Sequence, residues 1–496
     1  MDNDKKTILD NKTHELQPSP ILESDLTVQV DYIGTMPFEL GFNFAGEPAP
    51  NLGSPVSIQN KLYLIDQSDA IYRLNGSNNN PQIQEIFNIF EAPEELTFDN
   101  RESILNIAPG SSYNSIYVMF TSATEPTTDI PISRLPDPLP ELVGLEKEPV
   151  DDLYRIETLP ESVSFLDPPE TGYQVLYEYK LAGSELTEPR AIAAFETQLG
   201  VANHRGGGML TLPDGKILFA TGDALPLGAD GRSAPQDLTE HVGKLLIIDP
   251  EDGSFEVAAK GVRNVQHLEL VHSDPRDDRD YVSCDRDDYN DDYNYDDYNY
   301  NSENILVAFA DIGGVTAEEI NYVSLHDLLD TSTIENFGWG RNSDGLAREG
   351  TFYIEPGVPL VLGTSPPVSS SAPSPETGFI QPQAQDGRND PNGGIAVSGP
   401  VTSKVSFDEI TGLFSDLSSS IVYATTDPYT EIDSDVFKVN LIDENGTPLD
   451  SLQDLTGGRA DPRFFQFPDG SAGVLTEATG DFYQLSEVDT TGDFII

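Results

Sequence analysis

Leu212-Pro213-Asp214-Gly215-Lys216-Ile217-Leu218-Phe219 reads as a tight turn running into a strand. Proline presets φ in the turn, and glycine accepts the positive φ the reversal demands. The unit recurs at Phe467-Pro468-Asp469-Gly470, followed by apolar residues 473–476 and a further strand at 481–485. Near the start, 61–66 (KLYLID) and then 70–76 (AIYRLNG) have the same two-strand form. More strand-length runs lie at 115–121 (SIYVMFT), 174–180 (QVLYEYK), 216–221 (KILFAT), 244–249 (KLLIID), 305–310 (ILVAFA) and 420–425 (SIVYAT). They are rich in β-branched and aromatic residues and bounded by Gly, Pro, Asn and Asp. Long helical periodicity is nearly absent, and only 324–333 (SLHDLLDTST) predicts a turn or two of helix. Turn–strand repetition from about residue 40 to 485 predicts an all-β chain built as a β-propeller, with a β-sandwich array as the rival.

Residues 1–35 read as a polar N-terminal arm, 36–486 as the propeller and 487–496 as a C-terminal tail. Three stretches read as insertions: 125–171, rich in Pro and acids; 274–303; and the Pro/Ser-rich 365–394. The second contains 285–301 (DRDDYNDDYNYDDYNYN). Its Asp and Asn suggest Ca²⁺, but an EF-hand loop needs a glycine at its bend and a terminal bidentate Glu, neither of which is correctly spaced. The tract reads as a solvated, disordered loop.

The 496 residues carry 27 Lys plus Arg against 85 Asp plus Glu, a formal charge of −58. Such a chain repels phosphate backbones and anionic headgroups, so neither nucleic-acid binding nor membrane-surface binding is expected. Most of this charge reads as a solubility device. At 37% hydrophobic and 23% charged, the chain still has enough apolar material for a large core. The lone Cys284 excludes an intrachain disulfide and a thiolate cluster. The first residues have no apolar stretch of signal-peptide length, and no run reaches transmembrane length.

Of the six histidines, none has a partner at zinc-binding spacing. His204 stands apart in Gly200-Val201-Ala202-Asn203-His204-Arg205-Gly206-Gly207-Gly208, just before the Pro-Asp-Gly turn. The glycines allow a ligand to approach the backbone closely, and a loop histidine can act as a general base. On residues alone, a merely hydrogen-bonded histidine is an equal reading. Gly261-Val262-Arg263-Asn264-Val265-Gln266 gathers a guanidinium and two amides suited to a planar anionic ligand. Asp311-Ile312-Gly313-Gly314, followed by Glu318-Glu319, is either a Ca²⁺-binding turn or an ordinary tight turn.

In order, these motifs resemble the glucose/sorbosone dehydrogenase family, six-bladed β-propellers that use pyrroloquinoline quinone. The resemblance rests on Asn203–Asp223, Gly243–Asp249, Gly261–Gln266, Asp311–Asn321, Asn336-Phe337-Gly338-Trp339 and Arg459–Gly470, and spans roughly residues 50–485. It implies oxidation of a sugar or related alcohol by hydride transfer to the quinone, with Ca²⁺ polarising the cofactor. In that reading His204 is the general base, Asp223 orients the site, and Arg263 is also catalytic. Arg263, Asn264, Gln266 and Arg459 hold the quinone, while Gly313 and Gly314 offer carbonyls to the metal. The resemblance also implies an extracellular or periplasmic location.

The sequence departs from the family pattern in places. Ser103 and Ile104 stand where a Gln-Gly pair is expected, Ala108-Pro109-Gly110 replaces a His-Pro-Asp-Phe, and a late cofactor-binding lysine has no match. These departures support a second reading, a propeller that has lost catalysis and serves as a binding or surface module.

Overall fold

The computed structural model describes residues 22–42, 48–77, 80–98, 103–126, 131–134, 171–198, 204–223, 234–272, 305–313, 317–341, 347–349, 352–354, 380, 384–387, 397–402, 412–417, 419–425 and 436–488. Cys284, Gly314, the 285–301 tract and nearly all of the three expected insertions lie outside the described residues. Regular secondary structure among the described residues is almost entirely strand.

The strands form successive four-stranded antiparallel runs, arranged like the blades of a propeller. Four sheets hold one run each. The first run spans Val56–Ile58 to Asn80–Asn88, and the second Ile104–Pro109 to Glu185–Gln198. The third spans Gly206–Thr211 to Phe255–Lys260, and the fourth Glu269–His272 to Ala384–Gly387. A nine-stranded sheet holds two further runs, Val397–Val401 to Val436–Asp443, and Pro462–Gln466 to Asp481–Glu487 plus Leu22–Thr35.

Hydrogen bonds near the first strand of each run link every neighbouring pair. Gln67 Nε2 donates to Leu105 O at 2.9 Å, Asn106 Nδ2 to Gly207 O at 2.9 Å, and the Gly208 amide to Val265 O at 2.9 Å. The Thr402 amide donates to Glu269 Oε1 at 2.9 Å, and Gln466 Nε2 to Thr402 O at 3.2 Å. Arg463 Nε donates to Leu52 O at 3.2 Å and closes the ring.

The core follows the same order, divided into slabs between neighbouring runs. One packs Ile65 and Phe87 against Phe120 and Tyr179. Others pack Met119 and Phe195 against Phe219, Leu218 and Leu245 against Phe309, and Ala310 and Tyr322 against Phe414 and Tyr423. Each run is therefore covered on both faces. Ser115–Ser122 is buried at every position, which explains why the strand segments read as continuous apolar runs rather than alternating ones.

The described strands match the expected segments closely: Lys61–Asp66, Lys244–Ile248, Ile305–Asp311 and Ala472–Thr476, with the expected short helix at Leu325–Leu329 and a second, unexpected one at Gln453–Thr456. The N-terminal boundary needs correction. Residues 22–35, read as part of a polar arm, form the strand Leu22–Thr35. It pairs in parallel with Val436–Asp443 and antiparallel with Asp481–Glu487, joining the last two runs. Its Val28 and Val30 are buried against Leu441, Val439 and Leu485, while its alternate residues carry the polar character seen in the sequence. The expected tail also begins late, because Glu487 belongs to the last strand and the Val488 amide donates to Thr27 O.

Candidate functional site

His204 and Asp223 flank the hairpin Gly206–Thr211 and Ile217–Thr221, so antiparallel pairing returns the chain to its starting point. Gly222 makes this return tight, since a Cβ there would overlap the His204 carbonyl. Nδ1 of His204 lies 3.0 Å from Oδ1 of Asp223. Oδ2 of Asp223 accepts from the indole Nε1 of Trp339 at 2.9 Å, and its backbone amide donates to Arg263 O at 2.8 Å.

Arg263 sits on the other side of the imidazole. Its Nη2 is 2.9 Å from His204 Nε2, and its Nη1 donates to Ile312 O at 2.7 Å and to Gly313 O at 2.5 Å. Its guanidinium carbon lies 5.2 Å from the centre of the Trp339 ring, within cation–π range. Nε of Arg263 is buried and has no hydrogen-bond partner among the described residues. His204, Arg263 and Trp339 are each no more than 5% exposed, and Asp223 is 1% exposed.

Asp311 holds the loop that presents Arg263. Its carboxylate accepts the Arg263 amide at 2.9 Å and the Asn264 amide at 2.8 Å. Burial pushes the Asp311 carboxyl up to about 7, against the lowering effect of those amides. Asn264 turns its Oδ1 toward the Gly206 amide at 3.0 Å, tying the two loops together. Gly313 is anchored through its amide, which donates to Glu318 at 2.8 Å. Beside this cluster lies a small cavity, lined in part by Gln266, His267, Ile312, Ser398 and Arg463. Ile312 belongs to both, so cavity and cluster adjoin.

No protein-family model matches the chain, and no curated relative matches it. In structure the chain is similar to soluble sugar dehydrogenases. The PQQ-bound aldose sugar dehydrogenase of Streptomyces coelicolor aligns at 16% identity and a TM-score of 0.48, over 94% of this chain and 100% of that one. The apo aldose sugar dehydrogenase of Escherichia coli aligns at 12% and 0.46, over 92% and 98%. A carbohydrate-active enzyme of family AA12 from Trichoderma reesei aligns at 11% and 0.48, over 95% and 98%.

The expected site residues divide as follows. His204, Asp223, Arg263 and Asn264 meet in one hydrogen-bonded cluster, joined by the Gly313 carbonyl. Gln266 lies on the adjoining cavity. Arg459 is not in the cluster. It is exposed, with Nη2 2.6 Å from Asp461, because its loop turns outward before the strand Pro462–Gln466 begins. The arginine that reaches the cavity is Arg463, held by Glu477 at 2.5 Å.

Trp339, Asp311 and Ile312 were not expected as site residues. Trp339 is the chain's only tryptophan and lies in a motif that carried the resemblance, which was the available signal. Asp311 and Ile312 also lie in a motif that carried the resemblance, but their roles were not legible there, since one acts through backbone amides and the other contributes a backbone carbonyl.

The quinone and Ca²⁺ implied by the resemblance do not fit the side chains as they stand. Arg263 fills the space between His204 and the Gly313 carbonyl. The carbonyl assigned to the metal already accepts from a permanent cation. Among the described residues, no group of three or more His, Cys, Asp or Glu is gathered to hold a metal.

Proposed function

We propose that the protein is an oxidoreductase acting on a hydroxyl of a sugar or related small alcohol, in a six-bladed propeller with each four-stranded run as one blade. The observation that carries this reading is the buried Trp339–Asp223–His204 chain. A carboxylate on Nδ1 leaves Nε2 of the imidazole as a proton acceptor and stabilises the imidazolium that forms. Removing the hydroxyl proton at Nε2 frees the carbinol C–H electron pair to leave as hydride. A substrate hydroxyl reaching Nε2 replaces Arg263 Nη2 as its partner, and the unspent Nε–H of Arg263 is a donor for a neighbouring substrate oxygen. The hydride needs a two-electron acceptor from solution, such as a reducible dye; the quinone that the resemblance implies does not fit beside Arg263 as it lies.

The test is dye reduction over a panel of sugars and alcohols, with the protein incubated with and without the quinone. Turnover that is lost in His204→Ala is the expected result. Turnover unaffected by that change, or none on any substrate, overturns the reading.

One observation favours a second reading, a binding module without catalysis: Arg263 occupies the gap where substrate and acceptor would meet. A glycan array probed without quinone separates the two. Retention of a glycan by a protein that reduces no dye supports the binding module, and a blank array with active dehydrogenase dismisses it.

A further inference from the structure

Ile312 and Gly313 turn two consecutive carbonyls onto a single atom, Nη1 of Arg263, at 2.7 and 2.5 Å. Convergent backbone carbonyls provide the electrostatics of a cation site, and here the cation is covalent. The guanidinium has two further contacts, and the backbone of Arg263 is fixed as well. Nη2 is bound to His204, the Trp339 ring lies alongside, and the backbone N–H and C=O are engaged by Asp311 and Asp223.

A Ca²⁺ ion needs six to eight oxygens at about 2.3–2.6 Å. An ion taking both carbonyls from this side would coincide with Nη1. An ion placed beside it would face an unscreened like charge, in a pocket where Arg263 is 4% exposed. A guanidinium stays protonated at all working pH values, so the site holds its positive charge without any metal supply.

We propose that Arg263 is the resident cation of the Ile312–Gly313 carbonyl pair, standing where the resemblance puts Ca²⁺, and that this end of the molecule is metal-independent. The proposal does not require the chain to be an oxidoreductase.

Trp339 is the single tryptophan and touches both Arg263 and Asp223, so its fluorescence reports this site alone within a highly acidic protein. Titrate the full-length protein with CaCl₂ into the millimolar range and follow tryptophan emission. No change is expected, and addition of EDTA should also leave the emission in place. In Arg263→Ala, the emission should shift to the red as water enters, and millimolar methylguanidinium should reverse the shift while Ca²⁺ does not. A saturable Ca²⁺-dependent change in the wild-type emission overturns the proposal, as does reversal by Ca²⁺ in the variant. The wild-type titration decides the matter if Arg263→Ala does not fold.

Discussion

Nη2 of Arg263 lies 2.9 Å from Nε2 of His204. A guanidinium can only donate, so Nε2 accepts and the imidazole carries its proton on Nδ1, facing Asp223. The histidine is thereby held in the tautomer a general base needs, with a cation on the atom that would take the proton. Asp223 is positioned in turn by the Trp339 indole, so three residue types far apart in the chain set one proton's place.

That tautomer is directly observable. In ¹⁵N-histidine NMR at pH 7, the signals of His204 should be those of a neutral Nδ1–H ring. The resonance set should move toward the other tautomer in Asp223→Asn, where the amide can donate to Nδ1. Any dye-reducing activity should fall on the order of 10²–10⁴-fold in the same variant. An Nε2–H ring in the wild type contradicts the assigned network.

Trp339→Phe keeps the apolar ring and removes the indole donor to Asp223. A buried carboxylate oxygen then loses a hydrogen bond, at a cost of about 1–3 kcal/mol. Urea denaturation followed by circular dichroism should show that loss. A variant as stable as the wild type would mean that Asp223 finds another donor.

Asp66 is completely buried, and burial raises its carboxyl from 3.8 to about 6. The folded state therefore holds this proton more tightly than the unfolded chain. Its stabilising contribution is full below about pH 3.8 and is lost as pH rises through about 6. The swing amounts to roughly 3 kcal/mol. Chemical denaturation from pH 4 to 7 should show a shallower fall with rising pH in Asp66→Asn than in the wild type. Parallel curves would refute the assignment.

His241 behaves in the opposite sense. Burial lowers it from 6.5 to about 4, with Nε2 against Glu196 O and Nδ1 2.8 Å from the Ser133 hydroxyl. The unfolded chain binds the proton more tightly, so the contribution is present above pH 6.5 and lost as pH falls through about 4. The His241 ring should remain neutral by NMR at pH 5, and a midpoint near 6.5 would show that the ring is not buried in solution.

The strand Leu22–Thr35 bridges the last two runs, so its apolar side chains should be necessary for stability. Val28 pairs with Leu441, and both are buried. Leu441→Ala should cost about 2–5 kcal/mol. A chain lacking residues 1–35 should lose its near-ultraviolet circular dichroism signal and unfold without cooperativity. Retention of a sharp thermal transition would show that the ring closes without this strand.

The segments 61–66, 115–121 and 244–249 were legible as strands because each is a short apolar run between turn formers. The strand Leu22–Thr35 carried a signal of another kind: Val28 and Val30 alternate with Thr27, Gln29 and Asp31, the period-two pattern of a strand, and its polar half was read as part of the arm. His204 drew notice through its glycines, and Arg263 through its neighbouring amides. Arg459 was expected at the site and Arg463 reaches the cavity instead, because spacing within a loop does not say which arginine turns inward.

Strand content follows from local turn chemistry and apolar runs, which depend on neighbours a few positions away. Residue composition alone likewise fixed the excess of negative charge. Only the tertiary structure decided that Trp339 would meet Asp223 across 116 positions, and that Arg263 would reach His204 across 59 and Ile312 across 49. The reason is geometric: the ring gathers the ends of different runs at one place. Which side chains bond there depends on strand register and loop direction, and local propensity specifies neither.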